Sequence, residues 1–174
     1  MSRNLNEYRE YATKYTNTCA TKHGIRIMTY NVQGFKCYKS VMETIQNSNA
    51  DIVGLNEALF FDAELRTKFY DDCHTMGYEN IALCNVYGIN VIISKFPITK
   101  KKVIPLGKDP IKNRNRYAIS AQINGIKICL VHLDPFDRSG DTRSLQVDIL
   151  LNNVDRESIL MGDFNCERDS KEMS

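Results

Sequence analysis

The chain has 174 residues, 43% of them hydrophobic and 25% charged, which suits one soluble domain with a sizeable core. A formal charge of +2 is too mild to demand a nucleic-acid partner by itself, and no apolar run reaches the ~18 residues of a membrane span. Six cysteines without a C-x-x-C pair or zinc-like spacing, behind a polar N-terminus with no signal peptide, argue for reduced thiols in an intracellular compartment, cytoplasmic or nuclear.

Residues 1–23 are polar and lack a strong apolar period, so they read as a tail or a weak helix ahead of a domain over 24–174. Ile25 to Tyr30 is an apolar, β-rich run that enters a turn at Asn31-Val32-Gln33-Gly34. Val41 to Ser48 carries a short helical stripe, and Asp51 to Glu57 reads as a second buried strand. Phe60 to Met76 reads as a helix with Phe61, Leu65, Phe69 and Cys73 on one face. Strands over Asn80 to Asn85 and Ile89 to Ser94 flank a turn at Tyr87-Gly88, and Pro97 closes the second. Lys100-Lys101-Lys102 and Lys112 through Arg116 read as solvated loops. Cys129 reads as a small buried hydrophobe.

Tyr117 to Ile123 and Ile126 to Leu133 flank Asn124-Gly125, a strong hairpin signal. Thr142 to Val154, apolar at 145, 149, 150 and 154, reads as an amphipathic helix. Ser158 to Gly162 is a last buried strand, running into Asp163-Phe164-Asn165. Strands separated by helices, with one clear antiparallel hairpin, give a mixed α/β architecture.

Polar residues recur where these apolar strands end. Asn31, Glu57, His132 with Asp134, and Asp163 with Asn165 all occupy such positions, the edge at which open α/β sheets gather ligands. Glu57 offers a carboxylate oxygen and Asn31 a carbonyl oxygen, both suited to Mg²⁺, which keeps waters and accepts phosphate oxygens. Asp163 is placed to orient or deprotonate a water, Asn165 to donate to a phosphoryl oxygen, and His132 to protonate a leaving oxygen. Zinc lacks its usual thiolate and imidazole set. Each residue alone has a plainer reading: Asn31 as a turn residue, Glu57 as a helix cap, His132 as a structural histidine, Asp163 and Asn165 as loop composition. Their joint placement gives the set its meaning.

The same residues carry a resemblance. Ile27 to Gly34, Asp51 to Glu57, Asn90 to Ile98, Val131 to Asp134 with Arg143 and Gln146, and Ile159 to Asn165 resemble, in order, five motifs of the endonuclease/exonuclease/phosphatase superfamily. The resemblance implies a four-layer α/β/β/α sandwich of two mixed sheets. It implies hydrolysis of phosphate esters by in-line attack of water, with Mg²⁺ or Mn²⁺ as cofactor. Asn31 and Glu57 would belong to the metal site; His132, Asp163 and Asn165 would be catalytic. Arg116, with Asn165, would contact the phosphate. Position 56 is Asn where members usually carry Gln. Members also continue into further strands and a closing Ser-Asp-His motif, which the residues after Asn165 do not contain. His23 precedes the first strand and His74 sits near the end of a surface helix, so neither is expected to replace it. The second sheet is therefore expected to be incomplete, in a truncated chain or one whose sheet a partner chain completes.

Nucleic acid is the expected substrate and partner, on the motif set and the basic residues between 100 and 116. A phospholipid head group or an inositol phosphate is the alternative with the same chemistry. A catalytically impaired fragment that binds metal or phosphate without turnover is the alternative of another class.

Overall fold

A computed structural model describes residues 24–85, 88–167 and 170. The expected tail over 1–23, and Tyr87 of the expected turn, lie outside these residues. The first two apolar runs form strands Ile27–Asn31 (β1) and Ile52–Leu59 (β2), paired in parallel with Asn31 opposite Asn56. Such pairing needs a crossover, and Tyr38–Ser48 (α1) supplies it after a short turn of 3-10 helix at Gln33–Phe35. Ala63–Thr75 (α2) leads to Asn80–Asn85 (β3) and Gly88–Ser94 (β4), and the sheet runs β1-β2-β4-β3. The second sheet holds Ile98–Lys108 (β5), Asn115–Ile123 (β6), Ile126–His132 (β7) and Ile159–Asp163 (β8), in that order. Asp141–Leu151 (α3) makes the crossover that lets β8 lie parallel to β7, with His132 opposite Asp163.

Three apolar layers explain the stacking. Val41, Met42 and Ile45 of α1 and Phe69 and Cys73 of α2 pack with Val53, Leu55, Val91 and Ile93 of the first sheet. Ile52 and Ile92 meet Ile119, Ile128, Leu130 and Met161 between the two sheets. Leu150 of α3 closes over Ile104, Ala118, Cys129 and Val131 on the far side of the second. The architecture is the expected α/β/β/α sandwich of two mixed sheets, each of four strands among the described residues. At Gly54 the sheets approach so closely that a Cβ would stand 2.3 Å from the Met161 side chain. Cys129 is fully buried, and burial pushes its thiol up to about 12, as befits a small core hydrophobe. No helix among the described residues is long and apolar enough to cross a membrane.

Three sequence expectations are corrected. The second helix starts at Ala63 rather than Phe60, because the Asp62 carboxylate accepts the Leu65 N–H at 2.6 Å and caps it. Phe61 thus falls outside the helix and is 76% exposed instead of lining its apolar face. Lys100 to Lys102 are not a loop but part of β5, an edge strand whose register breaks between Thr99 and Lys102. Exposed lysines and a bulge on an edge discourage pairing with another chain. Finally, α3 runs 141–151 and buries Leu150 as expected, but it also turns Arg143 and Gln146 inward and leaves Leu145 exposed.

Candidate active site

Four strand segments deliver the polar residues to one place. Asn31, His132 and Asp163 are the final residues of β1, β7 and β8, as expected. Glu57 differs: β2 continues to Leu59, and Glu57 is a bulge, skipped between Asn56 and Ala58 in the pairing with β4, at φ +55°. Side chains on a regular strand alternate faces, so Asn56 and Glu57 would point oppositely. Here Asn56 donates to the Val131 carbonyl at 2.9 Å and Glu57 approaches His132, so both face the second sheet. The bulge makes that possible. A non-glycine residue in the left-handed region is costly and is often retained where function needs it.

Gly162 has a comparable job in β8. It sits at φ +134°, and a Cβ there would lie 2.0 Å from the Val131 carbonyl oxygen, so only glycine fits. The Leu133 N–H bonds the Asp163 carbonyl at 3.0 Å, fixing the strand end that presents the Asp163 side chain.

The Asn31 amide donates to both carboxylates, at 2.9 Å to Asp163 Oδ2 and 3.2 Å to Glu57 Oε1. Its Oδ1 accepts the Gln33 N–H at 3.1 Å. Asp163 Oδ1 accepts the Asn165 N–H at 3.0 Å, while the Asn165 amide donates to the Leu133 carbonyl at 3.0 Å. One of the two Asn165 amide hydrogens is thus spent on the protein, and the other is left for a ligand. His132 Nε2 is 3.8 Å from Glu57 Oε1. The ring is 4% exposed, and neither of its nitrogens has a hydrogen-bond partner. Burial pushes the His132 pKa below its ordinary value and the nearby Arg116 charge adds to this, outweighing Asp163, Glu57 and Asp134. Arg116 points into the same region, its Nη2 3.4 Å from Asp109 Oδ2 and its Nε buried without a partner. Buried, unpaired donors of this kind are costly unless a ligand completes them.

The cluster lies between two openings. One, of about 270 Å³, is lined by Glu57, Asn90, Arg114, Arg116, His132 and Phe136 among others. The other, of about 400 Å³, is lined by Asn31, Asn56, Asp163 and Asn165. All six residues singled out from the sequence as catalytic, metal-binding or phosphate-binding therefore border this one region. Among the described residues no three His, Cys, Asp or Glu side chains form a cage for a metal ion. A magnesium ion does not require one, since one or two carboxylates plus water and phosphate oxygens make up its shell. Glu57 is partly exposed and meets both the Asn31 amide and His132 through Oε1, which leaves Oε2 for that use. Asn31 offers its amide nitrogen to this space, and turning the amide over would offer its carbonyl oxygen instead.

Some contributors escaped the sequence reading. Asn90, fully buried in β4, accepts from Asn56 at 2.9 Å and donates to the Tyr117 carbonyl at 2.7 Å. A lone amide inside the apolar run Ile89-Asn90-Val91-Ile92 was the available signal. Asp109, also fully buried, accepts the Ile111 and Lys112 N–H groups and orders the turn that carries Arg114 to the cleft. Its clue was the Asp-Pro step with Pro110. Asp137 accepts from Ser139, Gly140 and Arg143 and caps α3 from outside.

A sequence model of the Endonuclease/Exonuclease/phosphatase family matches residues 28–174. Comparison with curated proteins gives no match. Among solved structures, the fold is similar to a truncated TDP2 from Caenorhabditis elegans, at 22% identity and a TM-score of 0.62, over 86% of this chain and 65% of that one. It is also similar to D. rerio TDP2 complexed with single-strand DNA product, at 15% identity and 0.61, over 82% and 61%. Sphingomyelinase C from Streptomyces griseocarneus is matched at 18% identity and 0.60, over 85% and 66%. The chain spans less than two thirds of the length of each of these three. At such identities the likeness is one of fold.

Proposed function

This chain belongs to the endonuclease/exonuclease/phosphatase family, and from that premise we propose that it is a metal-dependent hydrolase of phosphate esters, specifically a nucleic-acid phosphodiesterase. The observation that carries the reading is the hydrogen-bonded set of Asn31, Glu57 and Asp163, with His132 beside it, where the two sheets adjoin. Two carboxylates, a buried unpaired imidazole and an unpaired guanidinium edge form a surface suited to a phosphodiester and to a water aligned with it.

In this reading Glu57, with Asn31 turned over, holds Mg²⁺ or Mn²⁺, whose positive charge would polarise the phosphoryl oxygens. The remaining roles belong to the chain's own groups. Asp163 orients the attacking water and takes its proton as the oxygen–phosphorus bond forms. The free Asn165 N–H and the Arg116 guanidinium stabilise the charge that grows on the phosphoryl oxygens. His132 donates a proton to the departing ester oxygen; burial favours its neutral form, and an anion entering beside it would favour the charged form that this role needs. Nucleic acid is favoured over other phosphate esters by Arg114, Asn115, Arg116 and Tyr117 lining one side of the cleft, and by the single-strand DNA bound to a protein of similar fold.

The test is hydrolysis of bis(p-nitrophenyl) phosphate and of plasmid DNA, with Mg²⁺ or with EDTA, by the wild type and Asp163→Asn. Turnover that needs the metal and disappears in the variant is expected. Folded protein that turns over neither substrate would remove the hydrolase reading.

A further inference from the structure

The cleft beside His132 has more aromatic and apolar surface than a phosphate needs. Phe136 and Pro135 form part of its lining, with Leu59 and Ile89 from the first sheet. The Lys112 ammonium stands 4.3 Å from the centre of the Phe136 ring, so positive charge accompanies the aromatic face. Asp134 Oδ1 accepts the Phe136 N–H at 2.7 Å, and Gln146 accepts the Asp134 N–H at 2.9 Å, so the segment that carries the ring is tied down. Phe61, the most exposed large hydrophobic residue among the described ones, lies close by: a single point, a Cβ built on Gly34, would be 3.5 Å from its ring and 3.8 Å from Leu59. Arg114 and Arg116 line the same cleft, in which Glu57 is the only acidic residue among the described ones.

Aromatic faces interleaved with arginine and lysine are what unstacked bases and their phosphates recognise. In the interior of a duplex each base already has neighbours on both faces and has none to offer. We propose that this cleft receives unpaired nucleotides flanking the hydrolysed phosphate, their bases lying on Phe136 and Phe61 and their phosphates against Arg114 and Lys112. The chain then acts on single-stranded or frayed nucleic acid in preference to duplex interiors. The inference rests on the phosphodiesterase reading and narrows its substrate class.

Fluorescence anisotropy of the full chain, in EDTA to prevent turnover, with a labelled short oligothymidine and with a labelled duplex, tests it. Single strand should bind about tenfold or more tightly than duplex, and Phe61→Ala and Phe136→Ala should each cost about fivefold or more in single-strand affinity. Phe136→Tyr, which keeps the ring, should retain that affinity, and circular dichroism should show each variant folded. Equal binding of duplex, or no loss in either alanine variant, alongside intact metal-dependent hydrolysis of bis(p-nitrophenyl) phosphate, would overturn the inference and leave the phosphodiesterase standing. Binding to neither oligonucleotide, but to vesicles of phosphatidylcholine and phosphatidylserine in a manner lost in Phe61→Ala, would overturn both and identify Phe61 as a lipid-inserting residue.

Discussion

At the scale of the single residue, the site depends on two backbone conformations as much as on its side chains. Glu57 reaches His132 because it occupies a bulge at φ +55°, and Asp163 is aimed by a glycine at φ +134°. The second is the sharper case. A methyl group at Gly162 would meet a backbone carbonyl, which has no flexible end that can move away. Gly162→Ala should therefore destabilise the fold by about 3 kcal/mol or more, or prevent folding. A urea midpoint unchanged from wild type would contradict this. The identities of Asn31, Glu57, His132, Asp163 and Asn165 were legible in the sequence because each is a polar residue ending or interrupting an apolar run. The Glu57 bulge was not. A bulge is a mismatch between two strands, and the nearest glycine, Gly54, lies three residues before Glu57 in the regularly paired part of β2.

At the scale of the element, α3 and the segment before it behave as one unit. Asp137 accepts the Arg143 N–H at 3.0 Å, and Arg143 returns a bond from its guanidinium to the Asp137 carbonyl at 2.5 Å. Burial alone would raise the Asp137 pKa, but bonds from the Arg143 N–H, the Ser139 hydroxyl and the Gly140 N–H, with the Arg143 charge, bring it below the ordinary 3.8. The unfolded carboxyl protonates near 3.8 and the folded one only at lower pH. Its contribution is hence present above that value and drains away as pH falls through the folded one. Asp137→Asn should cost about 1–3 kcal/mol at neutral pH, with the gap to wild type narrowing in acid. Melting temperatures measured from neutral pH to below 3.8 would check it, and a gap of constant size would refute it. Sequence reading found this helix and its buried Leu150 but misjudged the first turn of its inner face. Apolar periodicity nominated Leu145, whereas burial goes to Arg143 and Gln146, whose partners lie on the preceding segment. The same blindness applied to α2, where the Asp62 cap outweighed a fourfold apolar spacing, and to β5, whose lysines masked an edge strand.

At the scale of the whole molecule, the alternation of strands and helices pointed to a mixed α/β fold, and the four-layer order was what the family resemblance implied. The seam between the sheets did not show in the sequence. It is largely aliphatic, yet beneath the site it is crossed by amides: Asn56 reaches Val131 of the second sheet and Asn90 reaches Tyr117. These bonds fix the separation and register of the two sheets where Glu57 and His132 must meet. Asn56→Ala strands the Val131 carbonyl and the Asn90 side-chain oxygen, at a cost of about 1–3 kcal/mol for each group left unpaired. It should also lower kcat in any hydrolysis assay more than it raises KM, since it loosens the placement of groups without removing one. Equal stability of variant and wild type in urea would show that the seam does not need the bond.

The bond from Asn31 to Asp163 joins strands separated by 132 positions in sequence. Contacts of such span require the long loop between them to be closed, at an entropic cost that local contacts do not carry. During synthesis, the first sheet can assemble while β8 has not yet left the ribosome, and at that stage Asn31 and Glu57 have no Asp163 to meet. The set of Asn31, Glu57 and Asp163 is therefore complete only once the last strand has been made and has paired, so a shorter nascent chain carries the first half of the site without the second.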